Sequence, residues 1–168
     1  MNTNTRHVIS VLVENEAGVL SRVAGLFAAR GFNIESLTVA PVGNEGTSRI
    51  TLVSCGDREI IEQIIKQLNK LIPVIHVVDL TEGAHVEREL MLVKVTAEKE
   101  VRAEVLRIAD IFRSRVLDAT ANSFMIEVTG DSNKLDACLE LLKPLGVIEL
   151  VRTGQVALSR GNRGMIKH

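Results

Sequence analysis

Residues 7–31 read HVISVLVENEAGVLSRVAGLFAARG. Val8 to Val13 are almost all β-branched or aliphatic, a run short enough to be one buried strand. After Gly18 the period changes: Leu20, Val23, Ala24, Phe27 and Ala28 fall on one face of a helix. Gly31, next to Arg30, stands where a helix C-terminus favours a left-handed residue. A strand therefore leads into a helix through a short loop that carries a glycine.

Outward from this unit, residues 33–42 and 47–55 are strand-like runs separated by Gly43-Asn44-Glu45-Gly46, a composition suited to a hairpin turn. Ile61, Ile64, Ile65 and Leu68 predict a second helix face, Pro73 blocks its continuation, and residues 74–80 close the unit as a fourth strand. After the polar connection Thr81-Glu82-Gly83-Ala84-His85 the order starts again near Glu89. Residues 90–96 form a strand, and Val101, Val105, Ile108, Ala109 and Phe112 a helix stripe. Residues 115–121 and 123–129 are strands around Asn122; Leu135, Cys138, Leu139 and Leu142 form the last stripe. Pro144 and Gly146 are expected to end that helix before a closing strand over 147–151. The fold class is α+β: two tandem βαββαβ, ferredoxin-like halves, residues 1–81 and 82–168, each a four-stranded antiparallel sheet with two helices on one face. Exposed sheet edges invite pairing with a second copy. Arg160, Arg163 and Lys167, among glycines after Thr153, predict a mobile basic tail or one that docks on a partner.

Composition narrows function. Aromatic residues make up 2% of the 168, all phenylalanine, which is poor material for stacking bases or gripping a flat cofactor. The formal charge of -1 supplies no field for nucleic acid or anionic lipid. No apolar run approaches the roughly 20 residues that span a bilayer. With a polar start at Met1 to His7, this predicts a cytoplasmic protein. Cys55 and Cys138 form no metal or redox motif and are expected in cores. His7, His76, His85 and His168 lack metal-ligand spacing. No phosphate-loop, dinucleotide or nucleophile-elbow signature is present, and Glu98, Glu100 and Glu104 read as a solvated helix face.

One loop remains. In residues 14–20 the first helix begins beside Gly18, so free backbone N–H groups at the positive end of the helix dipole can hold a carboxylate. Asn33 carries both a donor and an acceptor for an amino acid's charged ends, and Val19, Leu20 and Ile34 would surround an aliphatic side chain. The same residues are common turn punctuation: Asn15 bridging a turn, Gly18 easing helix entry, Asn33 capping its own backbone.

The run 14–23, continuing through Gly25-Leu26-Phe27 and residues 30–39, closely resembles the acetolactate synthase small subunit. Residues 66–71, 84–94 and 134–137, with Leu158-Ser159-Arg160-Gly161, extend the resemblance over nearly the whole chain; a generic ACT domain would account for the first half alone. The resemblance implies an amino-acid-sensing ACT domain over residues 1–81. It also implies a non-catalytic chain that activates a large catalytic subunit and confers feedback inhibition by a branched-chain amino acid, most often valine. Thiamine diphosphate, magnesium and FAD would belong to that partner and no cofactor to this chain. The resemblance places valine where ACT domains of a homodimer meet, with Asn15, Gly18, Val19 and Leu20 from one chain and Asn33 and Ile34 from the other. Thr38 and Ala40 match positions near the pocket that affect inhibitor response. The second half has Lys99 and Glu100 in the corresponding loop and no Asn-x-x-Gly, which favours a structural or coupling role.

The strongest enzyme alternative is an acylphosphatase-like hydrolase using Arg22 and Asn33. Arg22 is predicted one turn inside the helix, and the loop holds a single glycine rather than a nest of successive donors.

Overall fold

A computed structural model describes residues 5–43 and 46–165. Asn44 and Glu45 of the expected turn, Met1 to Asn4, Lys167 and His168 lie outside the described residues. The chain forms two compact units: residues up to Val86 together with those from Gln155 onward, and Glu87–Gly154.

In the first unit, β1 (Thr5–Glu14), α1 (Val19–Ala29), β2 (Ser36–Pro41), β3 (Thr47–Gly56), α2 (Arg58–Leu68) and β4 (Val74–Asp79) follow the expected βαββαβ order. The sheet order is β2-β3-β1-β4, with every pairing antiparallel. Alternation sends Ile9, Val11, Val13, Ile50 and Leu52 to the helix side, where Val23, Phe27, Ile64 and Leu68 close an almost wholly aliphatic core. Fully burying each such side chain contributes about 1.5–3 kcal/mol.

Three details depart from the sequence reading. Strand β2 begins at Ser36, so Asn33 precedes it in chain without regular secondary structure rather than opening it. The last helix runs on through Pro144 to Gly146: a proline in the final turn leaves little helix to disrupt, and Gly146 (φ 102) makes the exit. The tail is the largest difference. Residues 156–159 form a further strand, β9, described below, and belong to the first unit rather than the second.

The second unit repeats the plan with β5 (His85–Thr96, its first two residues in the first unit), α3 (Arg102–Ile111), β6 (Arg115–Ala119), β7 (Ser123–Gly130), α4 (Ser132–Gly146) and β8 (Val147–Arg152), in order β6-β7-β5-β8. Met91, Val93, Val95, Ile126 and Cys138 lie in its core. Cys138 is fully buried as expected, whereas Cys55 is only half-buried. The repeat extends to irregularities: the β1/β4 register shifts at Leu12/Val13, and the β5/β8 register at Lys94/Val95. Helices α2 and α4 are capped alike, by Asp57 accepting from the Ile60 N–H and Asp131 from the Lys134 N–H. Within this unit Arg152 forks onto the buried Glu89 at 3.0 and 2.7 Å and reaches Asp136 at 2.6 Å.

Strand β9 (Val156–Ser159) pairs with β5, and the Arg160 N–H donates to the Ala84 carbonyl. Ala157 joins Val8, Val53 and Leu80 in a small apolar cluster on the face of the first sheet away from its helices. Arg6 donates to the Gln155 side chain and Arg49 to the Ala157 carbonyl, which fixes this returning segment.

Candidate effector-binding site

The loop after β1 is held from both sides. Glu14 N–H donates to the Pro73 carbonyl and Asn15 N–H to the Gly46 carbonyl, each at 2.8 Å. Gly18 then turns the chain in the left-handed region (φ 86, ψ -5) and starts α1. That conformation strains any residue with a Cβ, which explains a glycine here. Unlike α2 and α4, α1 has no side-chain cap, and its first turn, unlike that of α2 with Glu59, carries no acidic residue. Among the described residues nothing accepts from the N–H groups of Leu20 and Ser21, so the helix offers free donors at its positive end. Val19 is buried in the core, whereas Leu20 is 42% exposed beside those donors.

Asn33 is positioned by the far end of the same helix. Gly31 (φ 67) lets Gly31 N–H bond Ala28 O and Phe32 N–H bond Phe27 O, at 3.2 and 3.0 Å, the paired bonds of a Schellman motif. Phe32 then packs edge-on against Phe27, ring centroids 6.2 Å apart. The Asn33 carbonyl accepts from the Ser54 hydroxyl at 2.7 Å and Glu35 N–H bonds Val53 O, so the backbone on both sides is anchored to β3. Ile34 is half-buried against the core.

The side-chain amides of Asn15 and Asn33 are exposed and form no hydrogen bond among the described residues. Neither therefore serves as the turn bridge or backbone cap that was the alternative account. The two do not meet within one chain. Glu14 pairs with Thr47 at one end of the sheet, whereas Val53, which bonds next to Asn33, pairs with Val8 six residues away. At strand rise that is roughly 20 Å. Thr38 pairs with Thr51 and Ala40 with Arg49, on the face away from the helices.

The second unit has no copy of this arrangement. Ala97 N–H is tied to Asn122 O, and Arg102 at the start of α3 donates to Thr120 O and lies 4.3 Å from the Phe124 ring centroid. No positive-φ glycine stands there.

Residues 9–76 match the family described as the AHAS small subunit-like ACT domain, which gives the class of the first unit. Residues 88–161 match the small subunit of acetolactate synthase. The chain is 53% identical over 158 residues to the probable acetolactate synthase small subunit of Archaeoglobus fulgidus, covering 94% of this chain and 99% of that one. It is 50% identical to the isozyme 3 small subunit of Salmonella typhimurium, covering 95% and 99%. The crystal structure of the Thermotoga maritima small subunit superposes with a TM-score of 0.86 at 41% identity, over 95% of this chain and 99% of that one. The chain belongs to the acetolactate synthase small-subunit family. The hydrolase alternative finds no support in these relatives. Among the described residues no helix is long and apolar enough to cross a membrane.

Proposed function

We propose that this chain is the non-catalytic regulatory subunit of acetolactate synthase in branched-chain amino-acid biosynthesis. It activates a large catalytic subunit, which holds thiamine diphosphate, magnesium and FAD, and it confers feedback inhibition by a branched-chain amino acid, valine foremost. The observation that carries the site is the separation of its two halves. Asn15 with the open start of α1 lies at one end of the sheet, and Asn33 with Ile34 at the other.

Strand β2 is the sheet edge beside β3. A two-fold axis at that edge sets two β2 strands antiparallel and brings the α1 start of one copy beside Asn33 of the other. The effector carboxylate then meets the free N–H groups of Leu20 and Ser21, where Gly18 leaves room for it. The partner's Asn33 amide bonds the amino acid's polar end, and Leu20 with the partner's Ile34 encloses the aliphatic side chain. Bound in this way, valine touches both copies and favours one dimer arrangement. A coupling of about 1–3 kcal/mol between that arrangement and the catalytic subunit suffices for several-fold inhibition.

The test is calorimetric titration of the purified chain with valine, leucine, isoleucine and phenylalanine, then inhibition of the reconstituted enzyme. Losing one hydrogen bond to a charged group, about 1.5–3 kcal/mol, Asn33→Ala is expected to bind valine about 10- to 100-fold more weakly. It should also relieve inhibition while keeping activation. Unchanged valine inhibition in that variant overturns the site.

A further inference from the structure

Behind the first sheet, on the side away from the helices, the returning segment borders a partly open cavity of about 380 Å³. That is within the roughly 300–1,000 Å³ of small-molecule pockets. Val78, Leu80, Leu158 and Met165 supply apolar wall, and Arg49 lies in the wall. Ser10, fully buried, accepts from Arg49 Nε at 2.7 Å and donates to Met165 Sδ at 3.2 Å; Arg49 Nη2 reaches Ala157 O at 3.2 Å. The guanidinium is therefore held in one orientation with three N–H donors unspent, and among the described residues it has no carboxylate partner. Burial alone lowers its pKa, the signature of a desolvated cation that lacks an anion.

The other charges in the lining are Arg163, Asp79 and Glu82. Asp79 is already engaged by His7 at 2.7 Å and by the Thr81 N–H, whereas Glu82 stands exposed at the rim. Two cations and two carboxylates sum to zero, which suits a ligand with no net charge better than a phosphate dianion. We infer that this cavity is a second effector site that takes a zwitterionic aliphatic amino acid. Arg49 grips its carboxylate, Glu82 faces its ammonium, and Leu80 with Leu158 packs its side chain. The site is separate from the dimer seam and does not depend on it.

The experiment titrates the full-length Asn33→Ala chain with valine, leucine, their 2-oxo acids and inorganic phosphate. The expected result is residual saturable binding of one amino acid per chain. It should weaken at least 10-fold when Arg49→Gln is added and several-fold with Glu82→Gln, with the oxo acids and phosphate binding less well. Because Arg49 also holds Ser10 and Ala157, two variants repeat the test without altering that contact: Glu82→Gln at the rim, and Leu158→Trp, which fills the volume and adds a fluorophore to a chain without tryptophan. No saturable binding in the Asn33→Ala chain overturns the second site, and binding indifferent to all three substitutions overturns it equally. Tighter binding of phosphate or the oxo acids overturns the zwitterion assignment. Amino-acid binding that survives Asn33→Ala undiminished but disappears with Arg49→Gln retains this site and removes the seam.

Discussion

Gly18 joins backbone conformation to the proposed recognition of a carboxylate. A Cβ there would meet nothing within 4 Å, so the obstacle to substitution is the backbone at φ 86, not crowding. Gly18→Ala is expected to lower stability by about 1 kcal/mol and to weaken valine binding as the helix entry shifts; thermal unfolding and calorimetry check the two effects separately. Cys138 shows the opposite case, a residue fixed by packing. Burial pushes its thiol up to about 11, from 9.0. The folded chain thus holds this proton more tightly than the unfolded chain does. The stability it contributes is full below pH 9 and is lost as pH rises toward about 11. Denaturant titrations should show that decline, reduced in Cys138→Ala, and alkylation of Cys138 at pH 8 should proceed only through unfolding.

At the level of elements, helix ends decide where the chemistry sits. The Schellman motif at the end of α1 aims the chain so that Asn33 emerges free, and Phe32 against Phe27 locks that exit. Gly31→Ala, at φ 67, should destabilise the fold by about 1 kcal/mol and also disturb effector binding. Asp131→Ala, which removes the α4 cap, should lose a similar amount while leaving effector binding intact. Urea unfolding together with titration separates these outcomes. The strand and helix order was legible because short β-branched or aliphatic runs give way to apolar stripes of period 3.6 in turn along the chain. The candidate loop was legible because glycine and asparagine mark breaks in those periods. What stayed hidden were features without a period. One is the late start of β2 after Asn33; another is helix α4 continuing past Pro144, since a proline reads as a stop wherever it falls. The recurring Gly56-Asp57 and Gly130-Asp131 pairs, each a strand end followed by a cap, were a sequence signal of the repeat that hydrophobic patterning does not register.

For the whole molecule, the tail matters most. Composition alone suggests a loose basic end, because Arg160, Arg163 and Lys167 stand among three glycines. Strand β9 depends instead on Ala157 meeting Val8, Val53 and Leu80, a contact between residues far apart in sequence. A chain ending at Gly154 should lose stability on the order of 3 kcal/mol and self-associate through the uncovered sheet face. Thermal unfolding and light scattering would show both effects. The return of the tail also orders events in time. One unit contains both the first described residues and the last, with the whole of the other unit interposed between them. During synthesis the βαββαβ core of the first unit emerges early, yet its back face stays bare while the ribosome adds the inserted residues, a wait of several seconds at about 5–20 residues per second. The nascent chain is therefore most exposed to misassembly after its first core has formed and before its final residues leave the exit tunnel.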